Sequence, residues 1–136
     1  MVDNPLQVVG AVISSRVGNE PAFLAFRRGP HRAAAGQWEF PGGKVEAEET
    51  PQAALVREIE EELGVTGDVG ALITRDVTRV GSRHIDLACY WFVPDEYPTA
   101  SSDHDEIQWV PIHELRSLTW AEPDIPALEV LERMVG

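Results

Sequence analysis

Apolar positions along the chain fall into short runs broken by glycine and proline, and helical spacing is confined to a few stretches. Leu6 to Ile13 is apolar and valine-rich, which predicts a buried strand. Pro21 to Phe26 continues with strand-like alternation, so Val17 to Glu20, carrying Gly18 and Asn19, predicts a hairpin turn. Arg27 to Gly36 is basic, small and interrupted by Gly and Pro, hence a loop. Trp38-Glu39-Phe40 reads as a short extended piece closed by Pro41-Gly42-Gly43, a sequence incompatible with helix. Thr50 has the chemistry of an N-cap, and Pro51 occupies the first helical position, where its missing N–H costs least. The helix is expected to run to Leu63 and stop at Gly64.

Beyond it, Val69 to Arg79 and Ile85 to Val93 predict strands, Pro94 to Glu106 a polar loop, and Ile107 to Val110 a short strand. Ile112 to Leu115 reads as a helical turn and Asp124 to Val135 as a final amphipathic helix. The sum predicts one α+β domain over residues 1–136, a mixed, mostly antiparallel sheet with a helix on each side.

The first helix carries an oddity. Val56, Ile59 and Leu63 share a face that the pattern assigns to the core, and Glu58, Glu61 and Glu62 fall within an arc of about 100° roughly opposite it. Glu58 neighbours both Glu61 and Glu62, and each such like-charge pair costs about 0.2–0.5 kcal/mol. The acids also crowd the C-terminal turns, where the helix dipole disfavours anions. A helix selected for stability would place lysine there. A divalent cation relieves the repulsion, and carboxylates without nearby cysteine are hard ligands suited to Mg²⁺, with Mn²⁺ as a substitute.

Charge sharpens this reading. The chain has a net charge of −12, which argues against a nucleic-acid polymer or an anionic membrane as partner. An anionic substrate would instead need a bound cation to offset the protein's own field. The single cysteine, Cys89, lies in an apolar run and reads as a buried thiol. Its solitude and the absence of a signal-like layout at Met1 to Pro5 predict a cytoplasmic protein, and no apolar run approaches the ~18 residues of a membrane span.

Gly43 to Val65 resembles the box of the Nudix hydrolase family: Gly43, Glu49, Arg57, Glu58, Ile59, Glu61, Glu62, Gly64 and Val65 fill every fixed position. The wider stretch from Gly36 to Glu46 is similar to the MutT-like branch, and weaker likeness extends to Pro123-Asp124-Ile125-Pro126. The resemblance implies an αβα sandwich and hydrolysis of a nucleoside triphosphate to monophosphate and pyrophosphate by in-line attack of a metal-activated water. It implies Glu58, Glu61 and Glu62 as metal ligands, with the Gly43 carbonyl and an acid of the 94–106 loop, for which Asp103 aligns best and Asp105 and Glu106 compete. Arg57 is expected to orient a neighbouring glutamate. Glu49 is equally a cap, a partner for Arg57 or the base, and Glu61 and the loop acid share the claim to be base.

Arg27 and Lys44 resemble the residues that meet the triphosphate, with Arg28 and Arg32 as helpers, and Glu39 and Phe40 are expected at the substrate. Trp38 and Trp120 are further candidates to stack on the base. Asp124 matches the position that reads the nucleobase in MutT-like proteins. Ionised, it accepts only, favouring the exocyclic amine of cytosine; protonated, it would donate to a purine carbonyl; its alternative role is to cap the last helix. The substrate expected first is (d)CTP or a modified cytosine nucleotide, and 8-oxo-dGTP second. ADP-ribose or a dinucleotide, and a non-catalytic nucleotide-binding module, are the competing readings. Either a monomer or a homodimer is compatible with the sequence.

Overall fold

The structure, a computed structural model, describes residues 4–135, so the reading of Met1 to Asp3 and the last residue of the expected domain lie outside the described residues. Two sheets are sandwiched between two helices. In chain order the strands are β1 (Leu6–Val12), β2 (Ser14–Val17), β3 (Glu20–Arg28), β4 (Trp38–Glu39), β5 (Gly42–Lys44), β6 (Gly67–Val80), β7 (Arg83–Pro94) and β8 (His104–Pro111). Helix α1 spans Pro51–Leu63 and α2 Ile125–Val135, the latter preceded by short 3₁₀ turns at Ile112–Ser117 and Glu122–Asp124. One sheet has the order β5-β1-β7-β6, with β1 and β7 parallel and the other pairs antiparallel. The other is antiparallel, β2-β3-β4, with β8 also on β3.

The central strands are buried on both faces, which is why they read as continuous apolar runs. Val9, Ala11, Leu24, Phe26, Ala88, Tyr90 and Phe92 point to α1, where they meet Ala54, Leu55, Ile59 and Leu63. Their sequence neighbours Val12, Phe23, Ala25, Leu87 and Cys89 point the other way, to Ala127, Leu128 and Leu131 of α2. This period-two alternation between two cores fixes the register, because a one-residue slip would exchange the two faces.

The α1 boundaries are as expected. The Thr50 hydroxyl accepts from Ala53 N at 3.1 Å, and Gly64 closes the helix in the left-handed region at φ 71°. The inward face differs from expectation. The buried stripe is Ala54, Leu55, Ile59 and Leu63, with Val56 only partly buried at its margin. The adjacent ridge at four-residue spacing is Ala54, Glu58, Glu62, so these two acids turn toward the strands rather than away from them. Four strands extend beyond their expected bounds: β3 continues through Arg28, β6 and β7 are longer than predicted, and β8 begins at His104, inside the stretch read as loop.

Candidate active site

Close backbone approach sets one wall of the site. A Cβ on Gly42 would lie 1.8 Å from the Val9 carbonyl oxygen, and one on Gly43 would lie 2.3 Å from Cδ of Glu58. Only glycine permits β5 to lie this near β1 and the Glu58 carboxylate.

Arg57 organises the outer acids of α1. Its Nε donates to Glu49 at 2.7 Å and one terminal nitrogen to the other Glu49 oxygen at 2.9 Å, a bidentate clamp. The second terminal nitrogen donates to Glu58 at 2.9 Å and Glu61 at 3.2 Å, and the Lys44 carbonyl accepts a further bond at 3.1 Å. The Arg57 hydrogen bond, reinforced by donation from Glu46 N, lowers the Glu49 carboxyl to about 2. A carboxylate so weakly basic and so fully engaged positions Arg57; it is a poor proton acceptor. Of the three roles open for Glu49, the geometry supports the arginine partner.

The inner acids are treated oppositely. Burial, followed by Asp103 and by the charges of Glu58 and Glu39, raises the Glu62 carboxyl to about 9. Its Oε2 is a buried oxygen without a hydrogen-bond partner among the described residues. The loop before β8 delivers Asp103 because Ser102 N donates to the Glu62 carbonyl at 3.1 Å. Among the described residues no three acids already surround a common point, since Arg57 draws on Glu58 while Glu62 and Asp103 lean on each other. The orphaned oxygen, the hard donor set and the Gly43 cradle nonetheless fit a divalent cation, with Glu58, Glu62 and Asp103 as the residues to hold it.

Beside this acidic wall lies a cavity of about 450 Å³ lined in part by Gly43, Lys44, Arg28, Arg32, Glu39 and Asp124. Gly43 therefore touches both the cavity and the Glu58 carboxylate. Asp124 arrives from the far end of the chain because Trp38 bridges Trp120: Trp38 N donates to the Thr119 carbonyl and Ala121 N to that of Trp38, each at 2.9 Å. The Asp124 carboxyl, 5% exposed, then accepts from Phe40 N at 2.8 Å. Burial and the charge of Glu39 push it well above the ordinary carboxylate range. The carboxylate is thus turned to β4–β5 and the cavity, and its hydrogen bond goes to Phe40 rather than to the start of α2.

Several expected positions are placed differently. Arg27 lies outside the cavity lining, bonded to Asp105 at 2.7 Å and to Glu106 at 3.2 Å, with its guanidinium 5.9 Å from the Trp38 ring centroid. Its neighbours Arg28 and Arg32 line the cavity instead. Asp105 and Glu106 are spent on Arg27, which leaves Asp103 as the loop acid beside α1. Trp38, Phe40 and Trp120 are core residues, Phe40 and Trp120 packing with ring centroids 4.9 Å apart, and only Phe40 also reaches the cavity wall. Cys89 is buried, and desolvation raises its thiol well above the usual value. Two residues at or near the site had no signal in the local sequence: Arg83 at the start of β7, which lines the cavity wall, and His104, which stands behind Glu39 outside the lining.

A sheet sandwich that carries an acidic helix beside a basic cavity is the architecture of the Nudix hydrolases. The chain belongs to this family: the NUDIX domain model matches residues 5–131. It is 37% identical over 125 residues to the CTP pyrophosphohydrolase of Escherichia coli, covering 91% of this chain and 89% of that protein. With the 8-oxo-dGTP diphosphatase of the same organism it shares 38% identity over 88 residues, 65% of each chain. The solution structure of the E. coli ORF135 protein superposes with a TM-score of 0.76 at 33% identity, covering 95% of this chain and 89% of that one. The MutT protein of Methanosarcina mazei superposes at 0.81 with 24% identity over 98% of both chains and supports the fold. The activity class is nucleotide pyrophosphohydrolase, in a family that works with divalent metal ions. Among the described residues no helix is long and apolar enough to cross a membrane.

Proposed function

We propose that the protein hydrolyses (d)CTP or a modified cytosine nucleotide to the monophosphate and pyrophosphate, with Mg²⁺ as the working ion and Mn²⁺ as a substitute. The observation that carries this reading is one cavity holding cationic donors (Arg28, Arg32, Lys44) and a buried carboxyl (Asp124), with the Glu58 carboxylate against its Gly43 wall. In a chain of net charge −12, cations gathered in one concavity speak for an anionic small molecule. We place the activity in the cytoplasm, on free nucleotides rather than polymers.

A bound divalent ion would neutralise phosphate charge and make water a stronger nucleophile at neutral pH. The chain's own residues supply the rest. Glu58, Glu62 and Asp103 hold the ion, Arg57 keeps Glu58 and Glu61 in place, and Arg28, Arg32 and Lys44 meet phosphate oxygens. Water oxygen bonds to phosphorus as the bridging P–O bond breaks, and the proton passes to a carboxylate of the acidic wall. Glu61 is the member of that wall best suited to accept it: its side chain is 59% exposed and it shares Arg57 at 3.2 Å without the bidentate clamp that depletes Glu49.

Asp124 selects the base. Phe40 N occupies one of its oxygens, leaving the other for an exocyclic amine such as cytosine N4 when the group is ionised. Its raised pKa favours a second reading, because the neutral acid donates and so accommodates the carbonyl edge of 8-oxo-dGTP. The experiment is a panel of canonical and oxidised nucleoside triphosphates, with ADP-ribose included, assayed with Mg²⁺ for pyrophosphate and monophosphate release. Cytosine nucleotides are expected to lead. A lead for 8-oxo-dGTP would move Asp124 to the donor role, and turnover of ADP-ribose alone would overturn the triphosphate reading.

A further inference from the structure

Behind the cavity wall lies a polar group that the chemistry above does not use. The His104 side chain is completely buried, 0% exposed, and packs on Phe26 with ring centroids 5.1 Å apart. Its Nε2 stands 2.8 Å from one oxygen of Glu39 and its Nδ1 2.6 Å from the Ser101 hydroxyl. Glu39 is itself only 14% exposed, and its other oxygen accepts from Arg28 at 2.6 Å, while Arg32 approaches the first oxygen at 3.6 Å and Asp103 at 3.9 Å. Arg28, Arg32 and Glu39 all line the cavity; His104 does not.

The Glu39 carboxylate can only accept, so the contact requires a hydrogen on Nε2. Ser101 Oγ accepts from Asp103 N at 3.3 Å, so its own hydrogen is free to point at Nδ1. Nε2 carries the hydrogen donated to Glu39, and Nδ1 meets the Ser101 hydroxyl. The arrangement gives both ring nitrogens a hydrogen-bond partner. It also leaves Glu39 with two donors from different sides, Arg28 and His104, which hold the carboxylate plane in one orientation. Arg32 Nη1 is a buried nitrogen without a hydrogen-bond partner among the described residues, so donor capacity stands free beside the cavity.

We propose that His104 is a positioning residue for substrate phosphate. By holding Glu39 from behind through Nε2, it sets the direction in which Glu39 presents Arg28, and beside it Arg32, to the cavity. The inference rests on the reading that these arginines meet phosphate, and it adds a residue that touches neither substrate nor metal. A Glu39 released from His104 would rotate toward the arginines and consume donors that substrate needs. The loss is therefore one of binding, made equally in ground and transition states, and falls on KM rather than kcat.

The test compares His104→Gln, whose amide nitrogen can occupy the place of Nε2, with His104→Asn, whose shorter side chain cannot, and His104→Leu. KM for the best nucleoside triphosphate is expected to rise about tenfold in His104→Leu and His104→Asn and to recover to within about threefold in His104→Gln, with kcat changed by less than about threefold throughout. Pyrophosphate, as a product inhibitor, should weaken in parallel. Equal KM effects in the Gln and Leu variants, or a fall in kcat at constant KM, would overturn the proposal.

A measurement on the unaltered protein guards against variants that do not fold: long-range ¹H–¹⁵N NMR of the imidazole should show hydrogen on Nε2. The opposite tautomer would refute it. Failure of the triphosphate panel with the expected tautomer intact would instead count against the substrate reading. In that case the same variants, titrated with inorganic pyrophosphate and followed by calorimetry, decide whether His104 acts on phosphate binding.

Discussion

The acids on and just before α1 are chemically alike and physically opposite. Glu49, Glu58 and Glu61 share one guanidinium within 3.2 Å, and Glu49 is held far on the ionised side. Glu62, four residues from Glu58 along one ridge, has no cationic partner among the described residues, leans on Asp103, and is pushed toward its neutral form. Arg57 thus compensates Glu49, Glu58 and Glu61, whereas Glu62 is left in deficit. A buried carboxylate without a compensating charge is stabilised by whatever cation arrives, so Glu62 is the acid of α1 with the most to gain from a metal ion.

The sharpest way to break this comparison is Glu62→Gln. The amide keeps the shape but removes the charge deficit, so turnover is expected to fall about 10²–10³-fold; Mg²⁺ is expected to raise the melting temperature of the unaltered protein and to leave that of the variant unchanged. Retained Mg²⁺ stabilisation, read by thermal melting with and without chelator, would show that Glu62 does not hold the ion. Next in size is Arg57→Lys, which loses the bidentate fork and cannot serve Glu49 and Glu58 together. A fall of about 10²-fold in kcat is expected, together with about 1–2 kcal/mol in stability by denaturant melts; an unchanged kcat would mean that the outer acids need no organiser.

Asp124→Asn moves the comparison to the other end of the cavity. The folded pKa of Asp124 is raised above its unfolded value, so its contribution to stability is fully present below about 4 and lost as pH rises through the folded value. The unaltered protein should therefore lose stability with rising pH relative to the Asn variant, and the gap should widen from pH 4 upward in paired denaturant titrations. The variant should also flatten the discrimination between cytosine and oxidised guanine nucleotides about tenfold in kcat/KM. Parallel pH curves would mean that Asp124 is not desolvated in solution. The smallest effect concerns the turn that delivers Glu49. Glu48 adopts φ 66°, a left-handed conformation that costs a side-chain-bearing residue about 1 kcal/mol. Glu48→Gly should raise stability by a sizeable part of that with activity intact, and destabilisation on melting would show that Glu48 makes a compensating contact.

Most of the helix and its cap were legible in the sequence because capping, glycine termination and residue spacing are local rules: Thr50, Pro51 and Gly64 do what their chemistry dictates wherever they occur. The box spacing likewise placed Arg57 among its acids, since neighbours three and four residues apart on a helix must meet. The face was misjudged because the core stripe was anchored on Val56, whereas the sheet accepts Ala54 and Leu55, and which ridge is buried is settled by the partner surface. The choice between Arg27 and Arg28 was equally illegible, since adjacent strand residues point to opposite sides and only the pairing of β3 with β4 and β8 says which side holds the cavity.

Sequence by itself determined the family, whose members use divalent metal ions, and the acidic helix, both of which follow from spacing within about two dozen residues. Tertiary structure alone decided that Glu62 lacks a compensating charge, which arginines face the cavity, that Asp124 reaches it, and that His104 stands behind Glu39. Those facts depend on contacts between segments far apart in the chain, and the desolvation that shifts a carboxyl is a property of everything packed around it, which no local pattern encodes.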